Sequence, residues 1–373
     1  MSGKSAAEAL GDALIGPPAP LPPPSVVGVQ AGSHLLSVSR EAMACLFEIV
    51  VDAATYRDAT DVAVATLDLV EQLESQLTVY RESEVMSINR RAADGPVEVE
   101  SGLFQLLTRA VALSEATSGA FDITAGQLSK VWGFFRRQGK LPSADDVAQA
   151  LETVGSRHLQ LDATTSSMRF LQPGLELNLG AIGKGYALDR AADVLNAGGV
   201  NDFVIHGGNS SVIARGSRIS DWGLGIGDLE KSESHKSQIP NPKSQIAPGW
   251  SIALRHPLKP DVRLAEFVLR NQALGTSGSG TQFFHHQGKR YGHIIDPRTG
   301  WPAEQVLSAT VIAPTAEQAD ALSTAFYVLG VEGAERFCQQ HPEISALLAK
   351  PSGSSSQIEL FPVNLAEDQW RRL

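Results

Sequence analysis

The sequence predicts an α+β fold in which mixed and antiparallel sheets are covered by helices. Three observations predict it. Short β-rich runs such as Met43–Val51 (MACLFEIVV) are interspersed with segments of helical period. No regular strand–helix–strand repeat connects them, which argues against a doubly wound parallel sheet. The chain of 373 residues, 43% hydrophobic and 19% charged, is large enough to bury a sizeable core.

In chain order, residues 1–32 carry the Pro-rich stretch Pro17–Pro24 and little apolar periodicity. They are expected to form a disordered or extended tail ahead of a globular domain over 33–373. After the strand at Met43–Val51, Val62, Ala65, Leu69 and Leu73 recur at helical spacing and predict a helix over Arg57–Leu77. Ser83 opens a short helix toward Asn89, and a longer one over Gly102–Ser118 stops at Gly119. Ser143 caps a helix ending near Val154, with Asp145 and Asp146 at its positive end.

Strands are expected at His158–Leu161, Met168–Leu171 and Leu175–Leu179, with a turn from Asp162 between the first two. Ala181–Asn196 reads as a helix, and Asp202–Ile205 with Ser211–Ala214 as a strand pair around Gly207-Gly208. The polar insert 229–249, in which KSQI occurs twice, reads as a flexible surface loop. Further strands are expected at Trp250–Leu254, Leu264–Leu269, Thr281–His285, Gly288–Ile295 and Ser308–Ala313. A helical pair, Ala316–Leu329 and Glu332–Gln340, follows.

Lys plus Arg total 31 against 41 for Asp plus Glu, a formal charge of −10 that argues against nucleic acid as a partner. An anionic cofactor would need local help from a metal, a lysine or backbone amides. The two cysteines, Cys45 and Cys338, exclude a disulfide framework and a four-cysteine zinc site. They read as buried thiols, with a single bridge between them left open. Met1–Leu14 lacks a secretory leader pattern, and no apolar run reaches membrane-spanning length. The expectation is a cytoplasmic protein that does not span the membrane.

Five stretches hold candidate chemistry. In Asn178-Leu-Gly-Ala-Ile-Gly-Lys-Gly, a strand, three glycines, Lys184 and a helix start form a setting for anion binding, although the Walker spacing is absent. Taken alone, such a stretch is more often a plain strand-to-helix turn with an exposed lysine. In Tyr291-Gly-His-Ile-Ile-Asp-Pro-Arg-Thr-Gly, His293 sits in a strand leading to an Asp-Pro turn, and a structural hairpin is the competing reading. Asp320 and Thr324 lie four apart on one helical face, hard oxygen donors suited to Mg²⁺, or ordinary surface residues. Phe121 could wall a ring pocket while Asp122 caps the next helix. Tyr80, at a helix exit, could stack on a flat ligand.

Taken together and in order, these stretches resemble the ApbE family, the FAD:protein FMN transferases. The resemblance rests on MACLFEIVV, LTVYRESEVMSIN, SGAFDITAG with VWGF, LNLGAIGKGYALDRAADVL, ALGTSG, RYGHIIDPRTGWP and ADALSTAFYVLG, spanning roughly residues 40 to 330. It implies an ApbE-like, T-fold-like architecture. It implies that Met43, Tyr80, Ala120, Phe121, Asp122, Asn178, Lys184 and Ile294 contact FAD. It further implies that Ala181 (through its carbonyl), Asp320 and Thr324 bind Mg²⁺, and that His293 serves transfer with Lys184 near the phosphates. The implied reaction moves FMN from FAD, through a phosphoester bond, to a Thr or Ser hydroxyl of an acceptor protein and releases AMP.

The chain departs from the family where Asn178 replaces a common Asp, where Ile205-His-Gly-Gly-Asn209 replaces an Asn-x-Gly-Gly-Asp run, and where Ala44-Cys45 replaces Gly-Thr. Many relatives are exported, whereas this chain shows no export signal. Two other activities use the same residues: a metal-dependent FAD pyrophosphatase giving FMN and AMP, and a non-catalytic FAD-binding protein.

Overall fold

The computed structural model describes residues 25–27, 35–216, 224–225, 249–278, 280, 282–352 and 357–373. Its centre is a nine-stranded sheet, numbered here β1 (Ser25–Val27), β2 (Leu35–Ala42), β3 (Cys45–Asp52), β4 (Phe203–Gly207), β5 (Ser211–Arg215), β6 (Ala273–Gly278), β7 (Ser308–Ala313), β8 (Ser345–Ser352) and β9 (Gln357–Val363). The spatial order of these strands equals their chain order, and every neighbouring pair is antiparallel. The expected α+β class is therefore observed. Two expectations change at the N-terminal edge. Ser25–Val27, inside the expected tail, pairs with Val38 and its neighbours, and Met43-Ala44 is the turn of a hairpin rather than strand. Residues 229–248 of the expected insert, and the remainder of 1–32, lie outside the described residues.

Side chains alternate across the sheet, as the two-residue strand period requires. Phe47, Ile49, Phe203, Ile205 and Val311 point into the larger core, and Val50, Val204, Val212, Leu274 and Ile312 into a second. The second core is closed by a smaller sheet that includes Trp250–His256 and Lys259–Leu269, through Trp250, Ile252 and Phe267. Helices α1 (Ala59–Leu77), α2 (Glu84–Arg91), α3 (Ser101–Ala116), α6 (Gly183–Ala197) and α7 (Ala316–Gln340) build the larger core on the other face, while α4 (Gly126–Val131) and α5 (Ala144–Leu151) pack on each other in a third, small core through Leu128 and Ala150.

Local chemistry explains their ends. The Ser83 hydroxyl accepts from the Met86 amide, and Ser143 with Asp146 forms a reciprocal capping box. Gly330, at φ 71°, interrupts α7 where the sequence predicts two helices. The predicted strand Leu175–Leu179 is not part of a sheet ladder. The side-chain amide of Asn89 donates to the Leu177 carbonyl at 3.1 Å, and the Leu177 amide donates to its oxygen at 2.8 Å, replacing a neighbouring strand. The strand predicted over Gly288–Ile295 ends at Gly292, so His293 sits just beyond it.

Candidate active site

The site forms where α6 and α7 meet above β5 and β6. A helix leaves its first amides without intrahelical partners. In α6 the N-terminal residue Ile182 supplies no side-chain cap. Instead the Gly185 amide donates to Asp320 Oδ2 at 3.1 Å, across 135 positions of chain, and the Ser211 hydroxyl donates to Asp320 Oδ1 at 3.1 Å. Lys184 Nζ lies 3.7 Å from the same oxygen. The buried Asp320 carboxylate thus faces both the positive end of α6 and a lysine, which together offset the cost of its desolvation.

Two glycines permit this approach. A Cβ on Gly185 would lie 2.2 Å from the Ala316 carbonyl oxygen, and one on Gly275 in β6 would lie 2.3 Å from that of Ala319. Any side chain at either position would push α7 away.

One turn along α7, Thr324 Oγ1 lies 3.0 Å from Ser277 Oγ, which also lies 2.8 Å from Ser323 Oγ. Asp320 and Thr324 therefore share a face, as their spacing predicts, and that face is lined by hydroxyls from β5 and β6. The turn carrying Ala181 is closed by the Ile182 and Gly183 amides, both donating to the Leu179 carbonyl. Among the described residues no three His, Cys, Asp or Glu side chains cluster as a metal site. The donors present are one carboxylate and several hydroxyls, hard oxygens of the kind that suit Mg²⁺ when water and phosphate oxygens complete the shell.

Asn178 Oδ1 accepts from the Gly180 amide at 2.9 Å and shapes the turn before Ala181. Its own amide donates to the Ile123 carbonyl at 2.7 Å, tying the Ala120–Asp122 segment to the glycine turn. Asp122 does not cap α4; its carboxylate accepts from Ser114, from the Thr124 amide and hydroxyl, and from the Ser156 amide and hydroxyl. That set of donors commits it to holding the loop. Ala120 and Phe121 are buried in the core. Ile294 is buried, with its carbonyl accepting from the Ala303 amide. Met43 and Ala44 both adopt left-handed φ, 51° and 59°, at the β2–β3 turn.

His293 is half-buried, and its Nδ1 lies 3.1 Å from the Gln282 carbonyl oxygen. A carbonyl only accepts, so Nδ1 carries the hydrogen of the neutral ring and Nε2 keeps a lone pair. Burial, and to a lesser degree the Lys184 charge, holds the imidazole below its usual pKa against the opposing Gln282 bond. Tyr80 lies on the aromatic side of this arrangement. It is 71% exposed and stacks on Phe135 at 4.9 Å, one residue from Phe134, whose ring meets His293 edge-on at 6.4 Å.

Sequence reasoning missed Ser211 and Ser277, whose positions on strands β5 and β6 carry no local signal of a site. It also missed the placement of Cys45. This thiol contacts the Gly208 turn and feels the charges of Lys184 and Asp320, and burial pushes it up to about 11, so it stays protonated. Cys45 and Cys338 are both free, which closes the question of a bridge between them.

Comparison with known proteins gives a consistent result. The ApbE family model matches residues 43–348. The chain is 32% identical over 291 residues to an FAD:protein FMN transferase of Treponema pallidum (strain Nichols), covering 76% of this chain and 75% of that one. It is 32% identical over 289 residues to one of Klebsiella pneumoniae (strain 342), covering 76% and 81%. Among solved structures, the ApbE protein of Thermotoga maritima superposes with a TM-score of 0.72 at 28% identity, covering 87% of this chain and 96% of that one. The apo flavinyl transferase ApbE of Pseudomonas stutzeri gives 0.70 at 25% identity, covering 91% and 95%.

Proposed function

This chain belongs to the ApbE family, and from that membership and the geometry above we propose that it transfers the FMN half of FAD to a Thr or Ser hydroxyl of an acceptor protein. The observation that carries the reading is the meeting of Asp320 with Gly185 and Lys184, because it gathers hard oxygen donors and a cation at one helix start. A diphosphate is the ligand chemistry such a place serves. Asp320, Thr324 and the Ala181 carbonyl would hold Mg²⁺. When bound, Mg²⁺ would neutralise charge building on the diphosphate during transfer.

The chain's own groups supply the remainder. Lys184 neutralises phosphate charge as a point cation. The acceptor oxygen forms a bond to the phosphorus of the FMN half, the bond from that phosphorus to the bridging oxygen breaks, and AMP departs with that oxygen. The hydroxyl proton passes to His293 Nε2, whose neutral state and fixed tautomer suit a general base. Met43, Asn178, Ile294 and the backbone of the Ala120–Asp122 segment would line the flavin side, with Tyr80 at its edge, while the Ala120 and Phe121 side chains support that wall from the core. Asp122 would act there through the backbone it fixes.

Incubating the protein with FAD, Mg²⁺ and a Thr-bearing acceptor tests the reading. Covalent flavin on the acceptor with one AMP released per transfer is expected. FMN and AMP without covalent flavin would make it a pyrophosphatase, and FAD retention without AMP a binding protein.

A further inference from the structure

We propose that the acceptor protein docks through an acidic segment on a basic rim formed by residues 126–141 and 282–293. This inference rests on the transferase reading and deepens it by assigning the acceptor's surface.

The chain carries −10 overall, yet neither segment contains an Asp or Glu. Between them they hold Lys130, Arg136, Arg137, Lys140, Lys289 and Arg290. The fold joins the two into one surface. Gln282 Nε2 donates to the Phe134 carbonyl at 3.1 Å, the Phe134 and Phe284 rings lie 5.7 Å apart, and Gly139 presses on Phe284 so closely that a Cβ would sit 2.5 Å from it. Among the described residues, carboxylates of neighbouring elements pair with some of these cations. Glu176 pairs with Lys130 at 2.5 Å, and Glu304 pairs with Lys289 at 3.0 Å. Asp146, near Lys140, is committed to the Ser143 cap. Arg136, Arg137 and Lys140 remain exposed to solvent.

Exposed aromatics accompany the charge. Phe283, under the Arg290 guanidinium at 4.1 Å, is 42% exposed, and Trp301, whose ring lies 5.2 Å from that of Trp132, is 41% exposed; both are large apolar groups of the kind that anchor a protein partner when a polar rim surrounds them. His293 follows the hairpin Phe283–Gly292 directly, and its ring is 6.4 Å from that of Phe134. A chain lying along this rim therefore presents its hydroxyl toward the proposed base. Positive potential on an otherwise negative protein selects an acidic occupant and speeds its encounter.

The test uses the full chain with FAD and Mg²⁺, and short synthetic peptides holding one threonine flanked by aspartates, alanines or lysines. Covalent flavin on each peptide, AMP release and FAD affinity are measured. The expected order of kcat/KM is aspartate, then alanine, then lysine, with the preference shrinking as salt is raised. The triple variant R136E/R137E/K140E is expected to raise KM for the aspartate peptide about tenfold, with kcat and FAD affinity unchanged. The milder R136Q/K140Q pair should give part of the same effect, and retained FAD affinity shows that both variants fold. Unchanged KM in the charge-reversed protein, or equal use of all three peptides, would overturn the surface while leaving the transferase standing. Loss of FAD affinity instead would assign the rim to the dinucleotide and also overturn it. Absence of AMP release from the parent protein would remove the transferase reading and this inference with it.

Discussion

Asp189 and Asp320 cap each other's helices. Asp320, in α7, accepts from the Gly185 amide in the first turn of α6, while Asp189, in α6, accepts from the Ala316 and Glu317 amides in the first turn of α7 at 2.9 and 2.8 Å. Each carboxylate lies where the other helix concentrates positive potential. The proposed metal ligand is thereby locked to a partner that the reaction does not touch.

That locking separates two effects of changing Asp320. Asp320→Ala leaves the Gly185 amide and the Ser211 hydroxyl without their acceptor, so stability is expected to fall by about 2 kcal/mol as well as activity. Asp320→Asn keeps an oxygen for Gly185 and is expected to lose about 1 kcal/mol, while Mg²⁺-dependent FMN transfer drops roughly a hundredfold. Denaturant midpoints and transfer rates across a Mg²⁺ series check this. An Asn variant with normal activity would take Asp320 out of the metal site.

His293 titrates below the ordinary histidine value, through burial first and Lys184 second. As a base it works only when unprotonated, so the acid limb of kcat/KM against pH is expected below about 6.5. Lys184→Met removes one cause of the depression and should move that limb upward while lowering the rate. A limb that stays put in the Met variant would place the lysine out of electrostatic reach of the base.

Burial acts in opposite directions on two other groups. Asp189 is pushed up to about 6, so the native state holds its proton more tightly than the unfolded chain does. Its contribution weakens the fold as pH rises between about 4 and 6. His206, whose Nδ1 is buried without a partner, is pushed down to about 4, so its contribution weakens the fold as pH falls from about 6.5 to 4. The two largely cancel in the parent protein. In Asp189→Asn the histidine is no longer offset by this carboxyl, and the melting temperature should fall more steeply with acid than in the parent. Parallel curves for the two proteins would contradict the opposition.

Ala44 occupies a left-handed turn position, at φ 59°, which glycine adopts without a Cβ penalty. Its side chain is exposed, so glycine gives up little burial. Ala44→Gly is expected to relieve backbone strain and to stabilise the protein by about 0.5 kcal/mol, after the extra entropy glycine gives the unfolded chain. Thermal unfolding reads the sign directly.

Gly275→Ala should act in the reverse sense. Its Cβ would meet the Ala319 carbonyl and displace α7 from β6, costing roughly 2 kcal/mol or more in chemical denaturation.

The elements legible in the sequence are those fixed by neighbours along the chain. Ser83 and Ser143 announce their helices because a hydroxyl finds its amide three residues on, and Gly330 breaks α7 where the apolar period lapses. Strand β6, Ala273-Leu-Gly-Thr-Ser-Gly278, hides because its small residues serve the approach of a helix rather than strand propensity. Leu175–Leu179 misleads in the other direction, since its alternating pattern is answered by the Asn89 side chain. At the site, residue types were readable but their meeting was not. Gly185 and Asp320 are joined by tertiary structure alone, and only the resemblance to a family anticipated it.

The sequential order of the large sheet has a kinetic consequence. Strands β4 to β9 can zip neighbour to neighbour through comparatively local closures, whereas β3 reaches β4 only after residues 53–202 have looped out and returned. That long closure carries the greater entropic penalty, so the seam between Ile49 and Ile205 is expected to be the last to form. Cys45 and Met43 stand on one side of the seam and Gly208 and Asp320 on the other, so the proposed dinucleotide site is complete only once both halves have docked.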